Sequence, residues 1–241
     1  MQSFTLAAMA ALGEIEKPDV AIHADTYYEK YTTYQFINKW EDWLIDRGLN
    51  IASVHEKKSV VDGVWDGKFI PAFTFNGDGN KGQAFRTCTG RWKITPIRRW
   101  LQANRNNQPV ELWLGISLDE FQRMNESKVK YITNRYPLIE MQMTRKDCEQ
   151  WLINKGMEIP PKSACWFCPF QDQNSWRYTQ SLALDFHNAI LLDRQIRNKR
   201  KPIELYLHPS RKPLEEVDFR TLEEMGQMRL WDEECSGLCG V

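Results

Sequence analysis

Cysteine is the residue type in this 241-residue sequence whose spacing points most directly to chemistry. Cys165 and Cys168 are separated by two residues, which places two sulfurs on one tight turn, a geometry that suits a tetrahedral metal ion or an iron–sulfur cluster. Pro169 follows directly, as it does in many iron–sulfur loops. Cys88 and Cys148 lie elsewhere in the sequence, and we expect folding to bring up to four sulfurs together.

Three alternatives to an iron–sulfur site remain open from the residues alone. Zinc is the first, although the four histidines, His23, His55, His187 and His208, lack the spacing of mixed cysteine and histidine zinc sites. A pair of buried thiols without any ligand is the second. A redox dithiol is the third, and it is disfavoured because no strand–CxxC–helix unit is recognisable.

Positive charge is concentrated next to Cys88. The segment 86–105 contains six basic residues and no acidic one, in a chain whose 32 Lys and Arg balance 32 Asp and Glu. This asymmetry predicts a site for phosphate or another polyanion. Arg98 fits equally well on a solvated helix face, whereas Arg86 and Lys93 flank Cys88 in what we interpret as an irregular loop.

Helices and strands alternate along the first half of the chain. The apolar pattern predicts strands at 19–25, 50–55 and 110–116, and helices at 4–15, 27–46, 97–103, 144–155 and 174–199. This alternation predicts a parallel sheet with helices on its faces. The Gly-rich and Lys-rich stretch 56–89 is interpreted as an irregular excursion over the edge of that sheet.

Polar residues end the first of these strands. Asp25 and Thr26 follow its apolar residues, and ligands of open α/β sheets bind outside the carboxyl ends of the strands. Both are therefore candidates for ligand or metal contacts, although Asp25 has the equal alternative of capping the next helix. His23 is interpreted as a core or edge histidine of the strand.

The tail of the chain carries a second pair of cysteines. Cys235 and Cys239 lie among small residues, which suits a mobile segment that presents a thiolate to a bound substrate. Solvent-exposed thiols without a role are the alternative. The acidic neighbours Glu233 and Glu234 would raise a thiol pKa unless the tail docks beside cations such as Arg86.

Composition limits the class of protein. Apolar residues make up 42% and charged residues 27%, which is typical of a globular chain, and zero net charge argues against a protein held on nucleic acid by bulk electrostatics. No apolar run approaches the ~20 residues that span a bilayer. The segment 1–4 lacks the charged start of a secretory signal. We therefore predict a cytoplasmic protein with no membrane partner, in which cysteines are thiols or metal ligands.

Together these segments resemble the adenine-nucleotide α-hydrolase superfamily, and within it the branch of phosphoadenosine-phosphosulfate (PAPS) reductases. The similarity to stand-alone sulfurtransferase-type members from phages and bacteria is strongest, and ATP-pyrophosphatase subunits of DNA phosphorothioation systems are more distant. The matching segments cover nearly the whole chain: MQSFTLAAMAALGE, DVAIHADT, RTCTGRWKITPIRRWL, LWLGISLDE, NRYPLIEMQMTRKDCEQWL, PKSACWFCPF and the CxxxCG end.

The resemblance implies a Rossmann-like (HUP-type) α/β fold, a parallel sheet with helices on both faces. Residues 1–140 would form the adenine-nucleotide-binding domain, and residues 141–241 a helical, cysteine-containing C-terminal extension. Gln2 and Ser3 match the last positions of the family's phosphate loop, Asp25 and Thr26 its second-strand motif, and Gly115 and Ile116 the strand beside the adenine. The family's first strand and loop glycines have no counterpart, so we expect either a start further upstream or a partial phosphate cradle.

The implied activity is an ATP pyrophosphatase that cleaves between the α- and β-phosphates with Mg²⁺ and couples adenylation to sulfur transfer, in the setting of nucleic-acid sulfur modification. Arg86, Lys93 and Arg98 would neutralise phosphate charge. The resemblance implies a [4Fe–4S] cluster, with zinc as the alternative, on Cys88, Cys148, Cys165 and Cys168. The implied partners are ATP or a related adenylate, and a cysteine desulfurase or a nucleic-acid-modification complex.

Two other functions remain. One is a reductase of PAPS or its unphosphorylated analogue, in which Cys235 or Cys239 attacks the substrate sulfur as the C-terminal cysteine of the reductases does. The other is a non-catalytic, nucleotide-binding accessory subunit of a modification or defence complex.

Overall fold

The computed structural model describes residues 1–221 and residue 224, and these form a mixed α/β structure. Its α-helices are α1 (Gln2–Ala11), α2 (Tyr31–Ile45), α3 (Lys58–Val61), α4 (Thr95–Asn104), α5 (Pro137–Glu140), α6 (Arg145–Asn154), α7 (Gln173–Ser181) and α8 (Ala183–Ile196). A π-helix at Thr89–Ile94 runs directly into α4, and 3₁₀ turns cover Asp62–Asp66, Leu118–Arg123 and Leu214–Glu216.

The strands form three small sheets in the described part of the chain. They are β1 (Ala21–Asp25), β2 (Ile51–His55), β3 (Phe73–Asn76), β4 (Lys81–Gln83), β5 (Val110–Trp113), β6 (Ile132–Arg135) and β7 (Ile203–Tyr206). Strand β1 pairs in parallel with β2, and β5 pairs in parallel with β6. Strand β3 lies between β4 and β7 and is antiparallel to both.

The α/β class with parallel pairing is confirmed, and the one continuous sheet of a Rossmann-like fold stays a prediction. The first four elements lie where the sequence pattern predicts them. The expected irregular excursion over 56–89 is wrong, because this segment contains α3, a 3₁₀ turn and the hairpin β3–β4. Its Gly-rich stretch is the hairpin turn, closed by the amide of Asn76 on the carbonyl of Asn80, with Gly79 at a φ of 85°.

The main hydrophobic core lies under the π-helix and the C-terminal helices. Its largest fully buried side chains include Trp92 of the π-helix, Phe167 of the Cys165–Cys168 turn and Trp176 of α7. Since Phe167 stands between the two cysteines, burial of its ring fixes that turn against the core.

A second, smaller core joins α1 to α6. Leu6 of α1 packs there with Leu138 and with the fully buried Cys148 of α6. The N-terminus of α6 has the capping box that the sequence predicts, in which Thr144 accepts the amide hydrogen of Asp147 and Asp147 accepts that of Thr144.

The long helix predicted at 174–199 is two helices. Leu182 lies between α7 and α8 with φ −94° and ψ 87°, outside the helical region. Just beyond this break, the Asp185 carboxylate accepts the amide hydrogen of Tyr31 at 3.0 Å, which ties the start of α8 to the start of α2. The apolar periodicity continues across Leu182, so the break could not be read from it.

None of the helices in the described residues is long and apolar enough to cross a membrane.

Acidification is expected to weaken the packing around His208. This half-buried ring lies with its centroid 5.6 Å from that of Phe219, and its Nδ1 accepts the amide hydrogen of Ser210 at 3.2 Å. Burial lowers the pKa of His208 in the folded state. The unfolded chain therefore binds the proton more readily, and this stability is lost as the pH falls from about 6.5 through the folded pKa.

Urea unfolding at several pH values checks this prediction. The free energy of unfolding of the wild type should fall more steeply below pH 6.5 than that of His208→Gln. If the free energy of unfolding depended on pH in the same way in both proteins, the role of His208 would be contradicted.

Candidate functional site

The carboxyl end of β1 meets the Cys165–Cys168 turn. Residues 29 and 165 form an isolated antiparallel bridge, in which the amide of Lys30 donates to the carbonyl of Ala164 and the amide of Trp166 to that of Tyr28. The hydroxyl oxygen of the buried Thr26 lies 3.5 Å from the sulfur of Cys165. The strand-end motif and the CxxC motif are therefore one site, although they lie far apart in the sequence.

Three of the four predicted sulfur ligands lie in this region. The amide of Cys168 donates to the carbonyl of Cys165 at 3.0 Å, which closes the turn. Cys88 precedes the π-helix and packs, like Cys165, against the main core. Cys88 is also near enough to Cys168 to contribute to raising its pKa.

The structure does not bring Cys148 to the other three cysteines, which corrects the expected set of four. Cys148 is buried in the second core, because the face of α6 that carries it packs against α1. Burial raises the pKa of its thiol to about 11, with the hydroxyl of Thr5 acting in the opposite direction. Its surroundings are those of a core residue.

The thiols of Cys165 and Cys168 are hard to ionise. Burial raises the pKa of Cys165, and the Glu29 carboxylate raises it further. Burial also raises the pKa of Cys168, against the effect of the Phe170 amide and of Arg86. A thiol with a raised pKa is a poor nucleophile at neutral pH, whereas a metal ion deprotonates it outright. The pair is thus suited to ligation more than to attack on a substrate.

The fit to a metal is partial. Within residues 1–221, no three His, Cys, Asp or Glu side chains are grouped closely enough to hold a metal ion as they stand. The donor chemistry agrees with a soft metal, since thiolates are the preferred ligands of zinc and of iron–sulfur clusters. Cys88, Cys165 and Cys168 are therefore the residues of this region that could hold one.

A buried ion pair lies beside these sulfurs. The ammonium group of Lys93 donates to Glu29 at 2.9 Å, and the hydroxyl of Ser163 donates to the other oxygen of that carboxylate at 2.8 Å. Burial disfavours the charged ammonium, but Glu29 and the sulfurs of Cys165 and Cys88 outweigh it and raise the pKa of Lys93. Lys93 therefore carries a permanent positive charge, and its side chain remains 39% exposed.

Asp25 organises the turn that follows β1. Its Oδ1 accepts the amide hydrogen of Tyr27 and the phenolic hydrogen of Tyr34, both at 2.8 Å. Tyr27 has a φ of 64°, a conformation that L-residues rarely adopt. Asp25 is not the cap of α2, whose N-cap is Lys30. Among the described residues its Oδ2 accepts no hydrogen bond, so this oxygen remains for a ligand.

Glu29 and His55 lie at this site, although neither is predicted as a site residue from the sequence. Glu29 gave no signal, because a single acid after a strand does not reveal a lysine pairing with it from 64 positions away. His55 could have been found, since it ends β2 directly opposite Asp25 and so follows the same strand-end rule. Its Nδ1 lies 2.5 Å from the hydroxyl oxygen of Tyr27.

Four further residues that are predicted to bind the nucleotide lie at the start of α1 or against it. A Cβ built on Gly115 would lie 2.6 Å from the hydroxyl oxygen of Ser3 and 2.7 Å from its backbone nitrogen, so the segment Gly115–Ile116 passes directly against the first turn of α1. The amide group of Gln2 donates to Ser117 at 3.1 Å and to Glu120 at 2.6 Å. The structure thus brings Gln2, Ser3, Gly115 and Ile116 together.

Gly115→Ala is expected to displace the start of α1. The added methyl group meets backbone atoms of Ser3 at 2.7 and 2.8 Å, closer than real contacts allow, so one segment must shift. We expect a loss of stability of about 1–3 kcal/mol by overpacking, measured by urea unfolding. Gly77→Ala is the matched control, because a Cβ there meets no atom within 4 Å. Equal stability of the two variants would contradict the close contact.

Two of the predicted cations lie on the surface of the protein. Arg86 and Arg98 are exposed, and the guanidinium group of Arg86 lies over the Phe170 ring, 5.2 Å from its centroid. Arg99 is paired with Glu56 at 3.3 Å. Cys235 and Cys239 lie outside the described residues, so their predicted role stays a prediction.

The chain matches no protein-family model, no curated protein and no solved structure. The resemblance described above therefore rests on the quoted motifs.

Proposed function

We propose that this protein is an ATP-dependent sulfurtransferase of the adenine-nucleotide α-hydrolase type, built on a Rossmann-like arrangement of β1, β2, β5 and β6. An acceptor oxygen attacks the α-phosphorus of ATP, and the bond to pyrophosphate breaks. Sulfide-level sulfur, supplied by a cysteine desulfurase with a thiol reductant, then displaces AMP together with that oxygen. The contact of 3.5 Å between Thr26 and Cys165 carries the proposal, because it joins the nucleotide motif to the sulfur motif.

The nucleotide side is supported by two groups of residues. Gln2 and Ser3 begin a ten-residue helix, whose N-terminus favours a phosphate through its free amide groups. Gly115 lies against them because only a residue without a side chain fits there. Asp25, at the end of β1, would offer a carboxylate oxygen to Mg²⁺, the type of ligand that this hard cation prefers.

Lys93 supplies charge to the phosphates. Its pairing with the buried Glu29 fixes the ammonium group near Cys165 and Cys88, so little reorganisation is needed when negative charge grows in the transition state. Arg86 and Arg98 are exposed and approach from the solvent side.

The sulfur side consists of Cys88, Cys165 and Cys168. These residues would hold the [4Fe–4S] cluster, or zinc, and when bound the cluster would present sulfur to the activated acceptor. The chain itself supplies the burial that keeps the thiols from reacting elsewhere, and the cations Lys93 and Arg86 that offset thiolate charge.

The test measures release of AMP and pyrophosphate from α-labelled ATP with Mg²⁺, sulfide and candidate acceptors, under anaerobic conditions. Lys93→Met should lower the rate about 100-fold or more, since it removes a preorganised charge. Lys146→Met is the control, because Lys146 is exposed on α6. No AMP with any acceptor would overturn the proposal, and release of sulfite from PAPS would select the reductase in its place.

A further inference from the structure

Two phenylalanines stand exposed at the mouth of the cysteine site. Phe85, between β4 and Cys88, is 94% exposed, and Phe170, two residues after Cys168, is 52% exposed. The guanidinium group of Arg86 lies 5.2 Å from the centroid of the Phe170 ring. We call Phe85, Arg86 and Phe170 the aromatic lip. A phenyl ring that is almost wholly exposed to water contributes almost no buried apolar area to the stability of the fold. Its apolar surface is therefore available to a ligand.

Arg86 of the aromatic lip belongs to the cationic segment 86–105. Arg86, Arg91 and Arg98 are exposed, and none of them forms an ion pair with a carboxylate of the described residues. Arg91 lies over the Phe69 ring, 4.9 Å from its centroid. No acidic residue occurs between positions 86 and 105. A ligand of this surface therefore combines planar apolar faces with repeated negative charge.

We infer that the aromatic lip binds single-stranded nucleic acid, with bases stacked on Phe85 and Phe170 and phosphates at Arg86, Arg91 and Arg98. This deepens the proposed function, on which it rests, because it identifies the sulfur acceptor as an unpaired strand. Stacking on aromatic side chains flanked by cations is the general means of holding single strands, since every unpaired base exposes a face. In a duplex those faces are covered by neighbouring bases.

The position of the aromatic lip agrees with an acceptor. Arg86 is two residues before Cys88, and the Phe170 ring over which it lies is two residues after Cys168. A base stacked on Phe170 is therefore held next to the turn that carries the sulfur ligands.

The experiment measures binding of the full-length protein to a fluorescein-labelled oligo-dT by fluorescence anisotropy, without ATP. Phe85→Ala and Phe170→Ala should each weaken binding by about 5- to 150-fold, the range that corresponds to loss of one stacked base. Phe121→Ala is the matched control, because Phe121 is 62% exposed on the 3₁₀ turn Leu118–Arg123 and should leave binding unchanged. Arg86→Ala should reduce the salt dependence by roughly 0.7 in slope.

Three results would overturn the inference. The first is an equal loss of oligonucleotide affinity in Phe85→Ala and Phe121→Ala. The second is duplex DNA that binds as tightly as the single strand. The third is a protein that binds no oligonucleotide, while Phe85→Ala impairs its association with a cysteine desulfurase. The last result would make the aromatic lip a protein-docking surface. Since ATP is absent from the assay, failure of ATP cleavage leaves the binding result intact, and the two proposals are tested separately.

Discussion

Cys88→Ser, Cys165→Ser and Cys168→Ser are each expected to abolish incorporation of iron and sulfide, whereas Cys148→Ala is expected to leave it unchanged. Cys165 and Cys168 lie in the turn beside the end of β1, and Cys88 precedes the π-helix near Cys168. Cys148 is buried in the separate core between α1 and α6. Removing one thiolate from a set of three leaves too few ligands for a stable centre. Alanine at position 148 keeps a small apolar side chain in an apolar place.

Anaerobic purification with an absorbance spectrum and analysis of iron, sulfide and zinc checks this result. A brown wild type and a brown Cys148→Ala protein, with colourless serine variants, is the expected pattern. Loss of iron in Cys148→Ala to the same extent as in Cys165→Ser would contradict the placement of Cys148 and restore the set of four. One zinc per chain in a colourless wild type would replace the cluster by the zinc alternative.

Asp193→Ala is expected to destabilise the fold by about 3–5 kcal/mol, because it removes one partner of a buried ion pair. The fully buried Asp193 carboxylate accepts the amide hydrogen of Leu207 at 2.9 Å and that of Leu214 at 3.2 Å, and it also pairs with Arg197. Its removal leaves two buried amide groups and one guanidinium group without their partner. The segment after β7 would lose its attachment to α8.

Thermal unfolding measures this effect, as a fall in melting temperature of about 10 °C for a chain of this size. Glu158→Gln is the control, since the pair of Glu158 with Lys39 is exposed and such pairs contribute little. Asp193→Asn separates hydrogen bonding from charge, because the amide keeps one acceptor oxygen. A melting temperature for Asp193→Ala within two degrees of the wild type would contradict the role of this carboxylate.

The sequence predicts local elements well and long-range partners poorly. Strands β1 and β2 and the capping box at Thr144 are found near their expected places, because each depends on neighbouring residues. The sequence does not predict strand β7, because it is only four residues long and its partner β3 lies more than a hundred residues earlier. Just beyond the break at Leu182, Asp185 accepts the amide hydrogen of Tyr31, and no local pattern reveals this contact with the other half of the chain.

The same distinction applies to the site. Asp25 and Thr26 are recognisable because the end of a strand is a local feature, and the CxxC spacing is local as well. Which cysteines join them depends on packing. The spacing of Cys148 and Leu152, four positions apart on α6, indicates a shared buried face, and this pattern was the available sign that Cys148 belongs to the core.

The backbone bridge between residues 29 and 165 makes the two halves of the site mechanically interdependent. Under the proposed function, a shift of the strand end on nucleotide binding would move the loop that carries the sulfurs, and the Lys93–Glu29 pair would transmit the displacement to the π-helix. By thermodynamic linkage, a ligand bound at the thiols would then change the affinity for the nucleotide by the same factor as the nucleotide changes the affinity for that ligand. With the proposed activity, such coupling would make ATP cleavage depend on whether sulfur is bound.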